Sequence, residues 1–159
     1  MPLVPDCTIF IIHRRKAKIN AIRVILSKFH FPAHTLTDAL QRCYYNEGTP
    51  PRGQKRAINV GKNARVKYVE RHYGEGDGNG ENVMNPTTVV HLGEGAYMEM
   101  ETTQIKGIDS TIRDTKAHLT DGATLVIKEK IMTHGHQHAE TNFSVDLDGY
   151  ESSTNVISR

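Results

Sequence analysis

From about Asn59 onward the chain alternates apolar and polar residues in short runs, at Arg65–Val69, Tyr97–Glu101, Thr124–Lys128 and Asn142–Leu147. A period of two sends successive side chains to opposite faces of a strand, so each run predicts a β-strand with one buried face. Gly, Asp and Asn separate the runs and supply turn chemistry. The loop Gly74–Asn82 (GEGDGNGEN) is a turn cluster that no helix can cross. The first 45 residues read differently. Ala17–Phe29 places Ile19, Ile22, Val24, Ile25, Leu26 and Phe29 between Lys and Arg residues. That spacing fits an amphipathic helix better than a strand, although β-branched Ile and Val oppose it. Pro32 would end such a helix, and Thr37–Tyr44 fits a second, short one.

The β-rich part is also repetitive. Val60-Gly-Lys-Asn-Ala64 leads into Arg-Val-Lys-Tyr-Val, and Leu92-Gly-Glu-Gly-Ala96 into Tyr-Met-Glu-Met-Glu. Leu119-Thr-Asp-Gly-Ala123 leads into Thr-Leu-Val-Ile-Lys, and a weaker copy starts at Leu147-Asp-Gly-Tyr. The starts at 60, 92, 119 and 147 are 32, 27 and 28 residues apart, and the longest step contains the Gly-rich loop. Each unit has an apolar strand end, a Gly-containing turn, a small Ala at the corner and then an alternating strand. One unit cannot bury its apolar row alone, whereas stacked units can, which predicts a parallel β-helix. An antiparallel meander also shows turn-then-alternation, but it does not usually keep one turn grammar at a near-constant step. The predicted division is an N-terminal segment, 1–45, basic and helical or poorly ordered, followed by a β-helix core, 46–159.

Composition agrees with this architecture. Hydrophobic residues make up 37% and Trp is absent, lean for a layered domain but sufficient for coils that share a thin core. A net charge of +2 gives no case for a nucleic-acid surface. Cys7 and Cys43 are the only cysteines, too few for a disulfide framework or a CxxC metal site, so a reduced cytoplasmic compartment is expected. The longest apolar runs, Cys7–Ile12 and Val24–Leu26, are too short to span a membrane.

The stretch Asn85–Arg159 resembles the core of the SufB/SufD family of iron–sulfur cluster assembly proteins. The likeness is carried by Val90-His-Leu-Gly-Glu-Gly-Ala, Thr102-Thr-Gln-Ile-Lys-Gly-Ile-Asp-Ser-Thr, Leu125-Val-Ile-Lys-Glu-Lys-Ile, Gly135-His-Gln-His-Ala-Glu-Thr and Ser152-Ser-Thr-Asn-Val-Ile-Ser-Arg. Upstream, the run from Ile58 to Gly76 is similar to short prokaryotic SufB/SufD-like proteins. The resemblance covers about two-thirds of the chain, as a distributed pattern with no single diagnostic motif, and does not reach residues 1–45. It implies an all-β, right-handed parallel β-helix that pairs with a second copy or a SufB/SufD-like partner. It also implies docking to a SufC-type ABC ATPase and a scaffold role for transient iron–sulfur clusters or iron, with no tightly bound cofactor. In this family the ATPase-docking helices and the best supported cluster-linked residues lie C-terminally, so a chain ending at Arg159 reads as truncated.

Candidate ligands are few. His134, His136, His138 and Glu140 alternate, and in one extended strand they would share a face with neighbours ~7 Å apart. Imidazole and carboxylate suit zinc or iron(II). The odd positions Leu119, Ala123, Leu125, Ile127, Ile131, Phe143, Val145 and Leu147 set the inward parity, so the histidines point outward unless a turn intervenes. A solvated polar edge is the plainer reading, and metal ligation fits an oligomer contact better than one chain. Cys43 falls near where family members often carry a Cys ahead of a coil, and a thiolate there could hold a sulfur or iron intermediate. Its plainer reading is a small buried hydrophobe. Glu70, His72, Glu75 and Asp77 form an acidic, imidazole-containing patch beside the Gly-rich loop, expected to be exposed loop.

With no P-loop and no GxSxG, any ATP hydrolysis belongs to a partner and the chain is not expected to be an enzyme. The functional expectation is a non-catalytic scaffold subunit or fragment. Its alternative is a β-helix interaction module that handles no cluster. A polysaccharide-active β-helix ranks last, because aromatics are only 6% and no acid cluster recurs from coil to coil.

Overall fold

A computed structural model describes residues 7–13, 21–23, 27–31, 33–34, 36–45, 52–74, 83–105 and 107–159. They form β1 (Cys7–His13), β2 (Ala21–Arg23), β3 (Ser27–Phe31), β4 (Leu36–Tyr45), β5 (Arg52–Val60) and β6 (Arg65–Gly74). The chain continues with β7 (Val83–Leu92), β8 (Tyr97–Ile105), β9 (Ser110–Leu119), β10 (Thr124–Met132), β11 (His138–Leu147) and β12 (Ser153–Ser158). From β3 onward the strands alternate between two sheets, ordered β12-β10-β8-β6-β4-β1-β2 and β11-β9-β7-β5-β3. Every pairing along this part is parallel and joins a strand to the one two places ahead. The fold is therefore a parallel β-helix, as the repeat predicts.

Equivalent residues stack in register. Phe31, Val60, Leu92, Leu119 and Leu147 form one apolar column at the strand ends. After each comes the repeated turn, closed by bonds from Ala64 N to Gly61 O, Ala96 N to Gly93 O and Ala123 N to Thr120 O. The third turn residue has positive φ at Asn63 (55°), Gly95 (64°) and Gly122 (64°), the left-handed region that glycine enters freely and asparagine tolerates. Its N–H reaches the next coil, from Asn63 to Glu94 O, Gly95 to Asp121 O and Gly122 to Tyr150 O, each 2.8 Å. Ala64, Ala96 and Ala123 are buried corners. The same grammar begins one coil earlier than the sequence repeat shows, because His34 has φ 60° and its N–H donates to Lys62 O.

Two N-terminal expectations are corrected. Within Ala17–Phe29 the described residues lie in β2 and β3, the remainder of that stretch falling outside the described residues. Thr37–Tyr44 lies within β4. Strand wins because β5 and β6 offer complete ladders: β4 pairs with β6 from Leu36↔Arg65 to Tyr45↔Gly74, and β3 pairs with β5 from Ser27↔Arg56 to Phe31↔Val60. Tertiary pairing of this length outweighs a local helical preference. β3 and β4 are thus paired with β5 and β6, and β1 lies antiparallel on β4, covering its free edge.

The interior is divided lengthwise. Beside the repeated turns it is apolar, holding Ile58, Val66, Tyr68, Val90, Met98, Met100, Leu125 and Ile127, with Phe143 and Val145 packed against it. Toward the opposite edge the inward positions change to Arg56, Glu70, His72, Thr88, Thr102, Gln104, Arg113, Thr115 and Glu129, all buried. Among the described residues no helix is long and apolar enough to cross a membrane.

Candidate functional site

Strand parity places this polar half. In β6, Val66 and Tyr68 point inward, so Glu70 and His72, two and four residues on, must do the same. In β5, inward Ile58 carries Arg56 with it, and in β9 inward Ala117 carries Thr115 and Arg113. The register then stacks Glu70, Thr102, Glu129 and Ser158 in one column, and His72, Gln104 and Ile131 in the next.

Glu70 is the hub. Its Oε1 accepts from Arg56 Nη2 at 3.0 Å, lies 3.7 Å from Arg113 Nη1 and faces His72 Nε2. Arg113 also donates from Nη2 to Gln104 Oε1 at 3.2 Å and turns Nε toward Glu129 Oε1 at 3.9 Å. Ser158 Oγ donates to Glu129 Oε2 at 3.3 Å. Two guanidinium groups and two carboxylates balance across the coils, the arrangement that buried charge requires. Burial alone would raise the Glu70 carboxyl, but Arg56, His72 and Arg113 together hold it well below the usual carboxylate range. Burial pushes His72 down to about 4, against the opposing pull of Glu70. Neutral His72 therefore donates its Nε2–H to a charged Glu70.

The expectation that Glu70 and His72 belong to an exposed loop is overturned, since both are fully buried in β6. Glu75 and Asp77 lie outside the described residues. Cys43 stands in β4 as the register neighbour of His72, and Cys7 in β1 is the register partner of Cys43. The backbone thus aligns Cys7, Cys43, His72 and Gln104 along one row. Sequence spacing gives no sign of this, because coils of unequal length separate the four residues.

His134, His136, His138 and Glu140 are all exposed. A turn intervenes at Gly135 (φ 62°), leaving His134 and His136 in the loop before β11 and His138 and Glu140 in the strand. His134 N donates to Gln137 Oε1, and Glu140 Oε1 accepts from Asn142 Nδ2. Among the described residues no three His, Cys, Asp or Glu side chains converge as a metal-holding group. No family model matches the chain, and no curated protein or solved structure shows significant similarity to it.

Proposed function

We propose that the chain is a scaffold subunit, or part of one, of SufB/SufD-type iron–sulfur cluster assembly, working with a SufC-type ABC ATPase. The observation that carries the reading is the row Cys7–Cys43–His72–Gln104, flanked by the Glu70 ion cluster within a parallel β-helix. A thiolate at Cys43 is the iron–sulfur ligand type. His72, one coil away in the same row, supplies a neutral imidazole, and Glu70 in the neighbouring column supplies a carboxylate. Iron and sulfide are cargo in this reading. The exposed His134, His136, His138 and Glu140 would contribute ligands across a contact between subunits.

A second reading, an assembly module without cluster handling, is favoured by the last coil. Among the described residues β11 and β12 each end one of the two sheets, and their inward apolar row is half open, with Leu147 48% and Val156 39% exposed. A second copy of this chain, bringing an identical row, is the occupant that these edges fit.

Anaerobic reconstitution with iron and sulfide separates the two. Under the scaffold reading the chain retains iron with a visible charge-transfer band that Cys43→Ala abolishes, and it co-purifies with a SufC-type ATPase. Absence of retained iron from the unsubstituted chain rejects that reading and leaves the assembly module.

A further inference from the structure

The outer face of the second sheet carries a feature unrelated to the interior. The strand register stacks His30, Asn59, His91, His118 and Asp146 in a column of adjacent rungs. Two neighbours in it meet: the His91 and His118 rings lie 6.0 Å apart between centroids, tilted by 58°. At one side His118 Nδ1 lies 3.1 Å from Asp148 Oδ2, in the turn after β11. Asp148 is held there by its own backbone, whose N–H donates to Leu119 O. His91 is exposed, and the His118 and Asp148 side chains are 40% and 68% accessible.

We propose that His91 and His118 form a two-histidine site for a borderline divalent transition-metal cation of the zinc type, with Asp148 as the positioning residue for His118. Neutral imidazole is the ligand that such cations favour. Metal-binding histidines usually give their second ring nitrogen to a carboxylate, which sets the tautomer and the ring orientation. Asp148 stands in that relation to Nδ1 of His118, so the proton resides on Nδ1 and the lone pair on Nε2 faces away from the carboxylate. Zinc–imidazole bonds are about 2.0–2.1 Å long, so a shared cation requires one nitrogen of each ring to turn toward a common point between them. Parallel strands hold the two Cα atoms at adjacent rungs, so little backbone freedom is lost on binding. The protein supplies two ligands, which leaves the remaining positions to water or to a carboxylate from outside the chain.

The test is a zinc competition titration against a chromophoric chelator, aerobically and without sulfide, on the full chain carrying His134→Ala, His136→Ala and His138→Ala to remove the other exposed imidazole cluster. One zinc per chain is expected, with affinity at least ~10-fold lower in His91→Ala and in His118→Ala, and about 10-fold lower in Asp148→Asn. Carbethoxylation of the same background protein, mapped by mass spectrometry, should show zinc protecting His91 and His118 together. This needs no substitution at the site itself. Unchanged zinc affinity in either histidine variant, or protection mapped to other histidines, overturns the proposal. Unchanged affinity in Asp148→Asn overturns the positioning role. Neither readout depends on iron, sulfide or Cys43, so it stands or falls apart from the scaffold reading.

Discussion

His72 donates its Nε2–H to Oε1 of Glu70, two residues earlier on the same strand, with both side chains fully buried inside the solenoid. The bond has a definite pH signature. His72 is lowered from 6.5 to about 4 in the folded chain, so the unfolded chain binds the extra proton first on acidification. Stability from this group is fully present above pH 6.5 and is lost as pH falls from there toward 4. The loss is on the order of 3 kcal/mol. Glu70, also lowered, adds a further loss beginning near pH 4.5. Urea midpoints recorded from pH 7.5 to 4.5 should fall steadily, and His72→Gln should flatten the part above pH 5. An unchanged slope in the variant would show that His72 is protonated equally in both states.

Removing the hub should cost more than removing its spokes. Glu70→Ala takes away the carboxylate that faces Arg56 at 3.0 Å and Arg113 at 3.7 Å, leaving two cations in the interior without it. A cost of about 3–5 kcal/mol is expected, since breaking a buried pair from one side exposes the desolvation penalty of the other. The double variant Glu70→Leu with Arg56→Met should recover part of that loss. Denaturant unfolding of the single and double variants measures this directly, and a double variant no more stable than Glu70→Ala contradicts it.

The turns make three graded predictions. Gly122 has φ 64°, and an added Cβ would meet only ordinary van der Waals contact, with Gly95 Cα and N at 3.8 Å. Gly122→Ala should therefore cost only the left-handed penalty of about 1 kcal/mol. Gly149 has ordinary φ, but a Cβ there would overlap the carbonyl carbon of Thr120 and the nitrogen of Asp121. Gly149→Ala should cost at least ~3 kcal/mol, because coil backbones must separate. Glu151 is a non-glycine residue at φ 56°, and Glu151→Gly should stabilise by up to ~1 kcal/mol. Thermal melts should place Glu151→Gly highest, Gly122→Ala next and Gly149→Ala lowest.

The turn grammar was legible because it repeats: Val60, Leu92 and Leu119 precede it, and Ala64, Ala96 and Ala123 close it. The coil ending at Phe31 was hidden because Pro32–Thr35 carries none of the glycines that mark the later turns. Glu70 and His72 were misread for a different reason. Their parity with Val66 and Tyr68 already pointed inward, but residue type beside a Gly-rich loop argued for solvent. Only the partners Arg56, Arg113 and Gln104, from other coils, make burial of those charges tolerable. Such partners are set by three-dimensional register, as is the alignment of Cys43 with His72. The second N-terminal helix failed likewise, since Leu36–Tyr45 finds its ladder on β6 rather than within itself.

The last rung of the solenoid carries the prediction that bears on assembly. Leu147 and Val156 continue the columns of buried Leu119 and Ile127, and among the described residues, where no strand stacks on the outer side of β11 and β12, they are 48% and 39% exposed. Half-open apolar side chains above two free parallel edges form a surface that pairing with a second copy would bury. Leu147→Lys with Val156→Lys places two charges in that row while leaving Phe143 and Val145 packed on the core. Light scattering should find the unsubstituted chain self-associated at micromolar concentration and the double variant monomeric. Its thermal stability should also become independent of protein concentration, as loss of a linked association requires. If both proteins are monomers at every concentration tested, the edge is not a contact between copies.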